Sequence, residues 1–253
     1  MADLREYETW AKTRAFQRRV DTARRIVEHA EAMGPVCYAT SWGKDSIAML
    51  GVAIEMGGRP RALHLGSPYG LPGYDDTARH FEALCDVTTL PASRTLPEYI
   101  AWCREIGLPH ERARSVQGAV VASIKRDRGA DWARENGIKV QALGMRIAEG
   151  GPRAKVLRAR GPVYTLADGS AKACPLAWWT SRDVWAFIAS RGLPYNGRLY
   201  DAETHGLTRE TIRNTGWLST DGAAEGRVMW LRQHFNEQWR ALRAAFPQVA
   251  ALS

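Results

Sequence analysis

The sequence predicts an α/β protein with a doubly wound, mostly parallel sheet of about five strands. Two observations lead to this prediction. Short apolar runs alternate along the chain with segments whose apolar residues recur every three or four positions. Strands that are separated by helices pair in parallel through right-handed crossovers. The 253 residues have a hydrophobic content of 45%, which is sufficient for the core that such a sheet requires.

The first predicted element is a long helix over residues 3–33. Apolar residues recur along it at spacings of three and four, and arginines and a lysine lie between them. Gly34 and Pro35 end the helix, because neither residue continues a helical pattern. Its basic face is typical of a solvated helix surface, and a nucleic-acid-binding face is the alternative.

Strands and helices then alternate as far as residue 145. Residues 67–76 are rich in Gly and Pro, which predicts a loop after the second strand. This order is typical of a parallel sheet with helical crossovers. Strands are predicted at 36–40, 59–65, 86–90 and 138–145, and helices at 44–56, 75–85, 96–107 and 115–136.

The pattern changes after residue 150, where turns and short β-like pieces come first. Thr180 and Asp183 then form a capping box that opens a helix over 181–190. Gly192 ends this helix. A last helix over 224–246 carries one apolar stripe, which is typical of a helix in a core or a subunit interface.

Composition excludes several classes of protein. No apolar run reaches the roughly 18 residues that a membrane span needs, and the charged N-terminus lacks a secretory signal, so we expect a cytoplasmic protein. The cysteines show no C-x-x-C spacing, so neither a zinc site nor an iron–sulfur cluster is expected. The formal net charge of +8 favours phosphate-bearing or polyanionic partners.

The turn after the first strand, Thr40-Ser-Trp-Gly-Lys-Asp-Ser46, has the composition of a phosphate-binding loop. Ligands of open α/β sheets bind beyond the carboxyl ends of the strands, and the start of a helix attracts anions. Gly43 allows a phosphate to approach the backbone closely. A lysine adds positive charge, two serines add hydroxyl donors, and an aspartate is a candidate ligand for Mg²⁺. These candidate residues are Ser41, Lys44, Asp45 and Ser46.

Two other nucleotide-binding motifs do not match this turn. A Walker A loop requires G-x-x-x-x-G-K-[ST], but Tyr38 stands at the position of the first glycine and Asp45 follows the lysine. A dinucleotide fingerprint requires several glycines, and the turn contains only Gly43. A P-loop NTPase and a Rossmann dinucleotide-binding protein are therefore not expected.

The turn resembles the PP-loop, S-G-G-x-D-S, of the ATP pyrophosphatases. Its Gly-Lys-Asp-Ser is most similar to the phosphoadenosine phosphosulfate (PAPS) reductase branch of that family. Trp42 replaces the first glycine, and we expect its ring either to stack on a substrate or to pack back against the following helix. Residues 174–201 resemble a further segment of the same family, and we interpret most of them as scaffold.

The resemblance extends to the end of the fourth strand. There, four residues match the family's G-x-R-x-x-E-x-x-x-R pattern: Gly144, Arg146, Glu149 and Arg153. Parallel strands end on one edge of a sheet, so we expect this segment to face the PP-loop. The arginines would neutralise nucleotide phosphates, and the glutamate would orient an arginine or assist a metal. Our candidate catalytic residues are Lys44, Arg146, Glu149 and Arg153. The alternative interpretation of the segment after the fourth strand is a surface ion-pair cluster.

The resemblance also implies contacts to an adenine nucleotide. The adenine would lie near the end of the second strand, where His64, Gly66 and Ser67 are candidate contacts. His64 is alternatively a histidine at the edge of the core. Lys125 occupies a position at which family members often have a phosphate-contacting lysine.

Two chemistries occur in this family. Its reductases attack a sulfonucleotide, PAPS or its analogue APS, with a cysteine thiolate from the C-terminal tail, but residues 175–253 contain no cysteine. Other members cleave ATP between the α- and β-phosphates and adenylylate an acceptor, which requires positioning and charge neutralisation. We therefore expect ATP as substrate and Mg²⁺ as cofactor. We interpret Cys37 and Cys174 as inert thiols, with sulfur carriage as the alternative.

The sequence thus favours an ATP-cleaving adenylylating enzyme. A sulfonucleotide reductase that uses an external thiol is one alternative, and a non-catalytic nucleotide- or nucleic-acid-binding module is the other. The acceptor is open and includes nucleic acid because the chain is basic, and a homodimer is compatible with the sequence. We expect an N-terminal helix over 1–33, a PP-loop nucleotide-binding domain over 34–192 and a helical extension over 193–253.

Overall fold

The computed structural model describes residues 3–67, 70–105, 127–202, 207–212 and 227–247. They belong to two compact units, and each unit is discontinuous in sequence. The first unit contains the described residues of Met1–Leu65, Tyr74–Leu90 and Gly129–Tyr195. The second contains those of Gly66–Gly73, Pro91–Arg128 and Asn196–Ser253.

A six-stranded sheet forms the centre of the first unit. The strand order is β3-β2-β1-β4-β6-β5, and every neighbouring pair is parallel except the antiparallel pair of β5 and β6. The predicted class, a mostly parallel α/β sheet, is therefore confirmed. The strands are β1 (Val36–Thr40), β2 (Arg61–Leu65), β3 (Asp86–Leu90), β4 (Val140–Ala142), β5 (Val163–Thr165) and β6 (Ala171–Ala173).

The sheet has one strand more than the roughly five expected for it. All four predicted strands are present. The two others, β5 and β6, come from the segment that we had interpreted only as turns and short β-like pieces. Each has only three residues, which is too short for a period-two pattern to distinguish a strand from a turn in the sequence.

Helices cover both faces of the sheet, as its apolar strands require. On one face, Val140 and Ala171 pack against Ala30 of a helix, and on the other, Cys37 and Leu63 pack against a different helix. The helices that lie largely in the first unit are α1 (Arg5–Ala11), α2 (Arg14–Ala32), α3 (Lys44–Glu55), α4 (Asp75–Leu84), α6 (Asp127–Glu135), α7 (Gly151–Arg160) and α8 (Ser181–Arg191).

The second unit is helical in its described part. Its helices are α5 (Leu96–Glu105), α9 (Gly197–Tyr200), α10 (Arg227–His234) and α11 (Asn236–Ala245). The last predicted helix, over 224–246, is therefore wrong as a single element. Phe235 breaks it, because its backbone at φ −135° and ψ 60° is not helical.

The predicted helix over 3–33 is also two helices rather than one. Thr13 has an extended backbone, and its side chain accepts a hydrogen bond from the backbone N–H of Phe16 at 3.2 Å. A threonine in this conformation starts a new helix. It therefore separates α1 from α2, and the prediction of one continuous helix is wrong.

Helix α7 occupies residues for which we had expected turns and short β-like pieces. Its sequence begins Gly151-Pro152, which reads as a turn. Proline is nevertheless favourable in the first turn of a helix, where its missing N–H is not needed. Of the helix predicted over 115–136, residues 127–136 are described, and Asp127–Glu135 of them are helical.

Helix α8 begins and ends as the sequence predicts. Thr180 and Asp183 form the capping box, and Gly192 ends the helix with a left-handed backbone at φ 59°. Helix α3 packs on α8 through Gly51. A Cβ on this glycine would lie 2.7 Å from Cε1 of Phe187, so no side chain fits between the two helices.

In the described ranges, every helix is too short or too polar to span a membrane.

Candidate active site

The first loop, Ser41–Ser46, follows the carboxyl end of β1 and includes the first residues of α3. Short hydroxyl side chains hold it. Ser46 Oγ donates to the carbonyl oxygen of Gly43 at 2.9 Å and accepts from the N–H of Ser41 at 3.3 Å. Thr40 Oγ1 accepts from the N–H of Trp42 at 3.2 Å. These bonds fold the loop over the first turn of α3, the end of a helix that attracts anions.

Trp42 adopts a backbone conformation that is usual for glycine, and its side chain is buried like that of a core residue. Its φ of 57° lies in the left-handed region, and the residue is only 4% exposed. Its ring stacks on His64, with centroids 5.3 Å apart, and on Phe81 of α4, with centroids 6.1 Å apart. The ring therefore packs inward, as in one of the two expected arrangements, but its stacking partners lie on β2 and α4 rather than on the following helix. The ring is not presented to solvent.

Of the candidate adenine contacts, His64 lies in β2 of the first unit. His64 Nδ1 is 3.1 Å from the carbonyl oxygen of Thr40, so the histidine joins β2 to the residue before the first loop. Gly66 is half-buried and Ser67 is exposed, and both belong to the second unit. Their roles as adenine contacts stay predictions. Lys125 lies outside the described residues.

The second loop, Gly144–Arg153, follows β4, which is paired with β1. It touches the first loop at Gly144. A Cβ built on this glycine would lie 3.0 Å from the carbonyl carbon of Asp45 and 3.2 Å from the backbone nitrogen of Ser46. The two segments that the sequence singled out are therefore in direct backbone contact.

Arg146 connects the two loops through its side chain. Its Nε donates to Oδ1 of Asp45 at 2.6 Å, and Nη2 donates to Oγ of Ser181 at 3.3 Å. The residue is 5% exposed. A guanidinium has five N–H groups, and these two bonds use two of them. The arginine is therefore held between α3 and α8. Its other guanidinium N–H groups do not bond to Asp45 or Ser181.

Sequence reasoning did not select Ser181 as a site residue. It is the first residue of α8, directly after the cap Thr180. A helix start at the carboxyl edge of the sheet was the signal that could have identified it.

Glu149 orients the two arginines of the second loop. Its carboxylate accepts from Nη1 of Arg153 at 2.8 Å and from the backbone N–H of Arg146 at 3.2 Å. Burial alone would raise the pKa of Glu149, but the positive charge and hydrogen bond of Arg153 and the bond from Arg146 hold that pKa below its ordinary value. Glu149 is therefore an anion that fixes Arg153, whose side chain is 53% exposed.

Lys44 lies in the first turn of α3 and is 2% exposed. A lysine head group tolerates such burial only beside polar or anionic groups, because an isolated ammonium ion is costly to remove from water. The candidate site therefore contains two buried cationic side chains, Lys44 and Arg146.

The described thiols are neutral. Burial raises the pKa of Cys37 to about 12, that of Cys85 to about 11 and that of Cys174 to about 12. Nearby arginines and a lysine lower these values only in part. A nucleophilic cysteine needs an accessible thiolate. Cys37, Cys85 and Cys174 therefore have the properties of inert core residues.

The donor set does not match a preformed magnesium site. Asp45 is the candidate ligand, but Arg146 already pairs with its Oδ1. Across the described residues, no group of three or more His, Cys, Asp and Glu side chains is placed to hold a metal ion. Magnesium usually needs near-octahedral oxygen ligands, so we derive no chemical step through a metal held by this chain.

A family model described as the phosphoadenosine phosphosulfate reductase domain matches residues 35–209. The chain belongs to this family. The predicted family, the PAPS reductase-like branch, is thereby confirmed. Helices α1 and α2 of this PAPS reductase-domain protein precede the matched residues. No curated protein sequence matches the chain.

Solved structures share the fold of this PAPS reductase-domain protein. Candida auris PAPS reductase, in a phosphate complex, matches with a TM-score of 0.51 and 15% identity over 69% of this chain and 82% of that one. Candida glabrata FMN adenylyltransferase with FMN and the ATP analogue AMPCPP matches with a TM-score of 0.50 and 10% identity over 79% and 67%. The same enzyme with FAD and inorganic pyrophosphate gives 0.50 and 13% over 78% and 67%. At these identities the likeness establishes the fold alone.

Proposed function

We propose that this protein binds ATP and cleaves it between the α- and β-phosphates, transferring the adenylyl group to an acceptor. The observation that carries the proposal is the contact between the first loop and Arg146, in a unit whose described cysteines are neutral. An anion-attracting helix start beside buried cations suits a nucleotide's phosphates. Neutral thiols do not suit nucleophilic attack on sulfur.

In this proposal the protein acts by positioning and by charge. An acceptor oxygen attacks the α-phosphorus, the bond to the bridging oxygen breaks, and pyrophosphate leaves with the electron pair. Negative charge grows on the leaving pyrophosphate, where Lys44, Arg146 and Arg153 would stabilise it. Asp45 and Glu149 would hold the two arginines rather than touch the substrate.

Magnesium enters this proposal with the substrate. ATP carries the ion on its own phosphate oxygens, and Mg²⁺ keeps several waters when it is bound in this way. In this proposal the protein needs no further carboxylate to bring the magnesium ion to the site. The proposal therefore includes Mg²⁺ as a companion of ATP.

A sulfonucleotide reductase-like activity is the second candidate. The description of the matching family and the likeness to the Candida auris reductase support it. An external thiolate would attack the sulfur of PAPS or APS and displace the adenosine phosphate, because Cys37, Cys85 and Cys174 are buried. The same loops would then hold a phosphosulfate in place of a triphosphate.

A non-catalytic module that binds nucleotides or nucleic acid is the third candidate, and the net charge of +8 supports it. Binding of tRNA or DNA that weakens steeply with salt, without turnover of any nucleotide, would favour this candidate over both enzymes.

Product analysis separates the two enzymes. The protein is incubated with ATP, MgCl₂ and a small-molecule cell extract as the source of acceptor. Pyrophosphate and the adenylylated acceptor are measured, together with the AMP that is released if the adenylyl group is later displaced. A parallel reaction contains PAPS and dithiothreitol, and sulfite is measured. We expect matched amounts of pyrophosphate and adenylyl product from ATP, which Arg146→Ala abolishes and Arg5→Ala, at an 86% exposed side chain, leaves unchanged. Sulfite without pyrophosphate would overturn the adenylyl-transfer proposal.

A further inference from the structure

Arg146 is held by a residue that belongs to neither loop of the candidate site. Ser181 Oγ accepts from its Nη2 at 3.3 Å, and Ser181 is the first residue of α8. The direction of the guanidinium therefore depends on where α8 begins. What fixes the start of α8 consequently takes part in orienting this arginine.

The start of α8 is anchored to the two N-terminal helices through Asp183. This carboxylate is fully buried, and four groups contact it. Trp10 Nε1 donates to Oδ1 at 2.8 Å, and Arg19 Nη1 forms an ion pair with Oδ2. The N–H and the hydroxyl of Thr180 also donate to Oδ2, at 2.6 and 2.7 Å. A buried carboxylate that lost these partners would be costly, so the geometry is strongly held.

Further contacts run along the same interface. Trp179 Nε1 donates to the carbonyl oxygen of Arg19 at 3.2 Å. The guanidinium of Arg182 lies over the ring of Trp10 at 4.6 Å and pairs with Glu6 at 3.0 Å. Residues on both sides of Ser181 are therefore tied to α1 and α2.

We infer that helices α1 and α2 position Arg146, acting through Asp183 and through Ser181 as the positioning residue. The inference rests on the proposed function, in which Arg146 contacts the nucleotide. Both helices lie before residue 35, where the match to the family model begins. The chain thus uses a segment outside the matched domain to orient an arginine inside it.

The physical basis is the freedom of a long side chain. An arginine with one partner can rotate about that bond, whereas two partners on different elements fix its plane. Ordering the side chain in advance lowers the entropy that binding must lose. Misplacement by about 1 Å is enough to impair a reaction that depends on positioning.

Variants of two residues test the inference, each beside a matched control. Ser181→Ala removes the hydroxyl, and Ser181→Thr restores one. Ser190→Ala is the control, because Ser190 lies on the same helix but donates to the carbonyl oxygen of Ala186. Trp10→Phe keeps a ring and removes the N–H donor to Asp183. Trp132→Phe, in the cluster with Cys37 and Leu63, is its control.

The first readout is the Kd for α,β-methylene-ATP, measured by calorimetry beside the thermal midpoint. We expect Ser181→Ala to raise the Kd about two- to tenfold. Ser181→Thr should recover most of that loss, and Trp10→Phe should raise the Kd in the same direction. Both controls should keep the wild-type Kd. In an Arg146→Lys background the effects of Ser181→Ala and Trp10→Phe should disappear, because residues that act as a unit are not additive.

The second readout needs no nucleotide. The ¹⁵N Nε–H resonance of Arg146, assigned by its loss in Arg146→Lys, should broaden in Ser181→Ala and Trp10→Phe and stay sharp in the controls. An unchanged resonance and an unchanged Kd in Ser181→Ala would overturn the inference, as would a Kd effect that persists in Arg146→Lys. If the wild type binds no analogue, the proposed function fails, and the resonance alone then decides whether Arg146 is positioned from α1 and α2.

Discussion

The two loops of the candidate active site are held by different forces. The first loop depends on backbone and hydroxyl bonds between neighbours in sequence and on the packed ring of Trp42. The second depends on charged pairs, Arg153 with Glu149 within the loop and Arg146 with Asp45 of the first loop. The comparison shows that one edge of a sheet can combine a loop that is stabilised mainly by packing and local hydrogen bonds with a loop that is stabilised mainly by ion pairs.

The largest expected effect concerns the buried charge of the second loop. Arg146→Ala removes the buried partner of Asp45, whose side chain is 25% exposed, and should lower the free energy of unfolding by about 3 kcal/mol, the lower end of the loss for breaking a buried pair. Arg153→Ala removes a half-exposed arginine and should cost less than about 1 kcal/mol. Urea unfolding of both variants measures the difference. Equal losses would mean that burial does not distinguish the two arginines.

The next effect concerns the ring of the first loop. Trp42→Ala should cost about 3 kcal/mol, because it removes the contacts to His64 and Phe81. Trp42→Gly should be less destabilising than Trp42→Ala by about 1 kcal/mol, because glycine adopts the observed positive φ without strain. Thermal and urea unfolding compare the two. Greater damage from glycine would show that φ is not strained at this position.

Contact between the loops is expected to be sensitive to a single methyl group. Gly144→Ala places a Cβ 3.0 Å from the backbone of Asp45 and should cost about 1 to 3 kcal/mol. Gly129→Ala is the control, since its Cβ would meet the side chains of Leu65 at 3.4 Å and Leu63 at 3.9 Å, and alanine is favourable in a helix. Similar stability of both variants would contradict the close approach of the loops.

The smallest effect concerns the pH response of the second loop. The pKa of Glu149 is lowered, so its stabilisation is present above the ordinary value of 4.5 and is lost as the pH falls through the lowered value. Glu149→Gln should therefore be less stable than wild type by up to about 1 kcal/mol near pH 7. The difference should shrink toward about pH 3. Urea unfolding across this range checks the sign, and a difference that grows in acid would contradict it.

Much of the fold could be predicted because short sequence patterns determine many of its strands and helix ends. The strands 36–40 and 86–90 were predicted at their observed positions, and Thr180 with Asp183 marked the start of α8. The break between α1 and α2 also had a local signal, since Thr13 is a good N-cap residue. A continuous apolar pattern outweighed that signal, so the helix was extended through it.

For the candidate site, the sequence could predict which residues belong to it but not which contacts they make. Residues of the first and second loops could be selected because parallel strands end on one edge. The inward packing of Trp42 depends on His64 and Phe81, which come from two other elements. The pairing of Asp45 with Arg146 likewise joins residues far apart in sequence. Such partners are set by tertiary packing, and no local pattern encodes them.

Gly51 gives the site a remote point of mechanical sensitivity. It sits in the middle of α3 where α8 crosses, and the starts of these two helices carry the first loop and Ser181. A larger side chain at Gly51 would push α3 and α8 apart and would increase the distance between the starts of the two helices. Under the proposed function, we expect such a change to weaken nucleotide binding, so substitutions at this crossing should be judged by what they do to the spacing of α3 and α8.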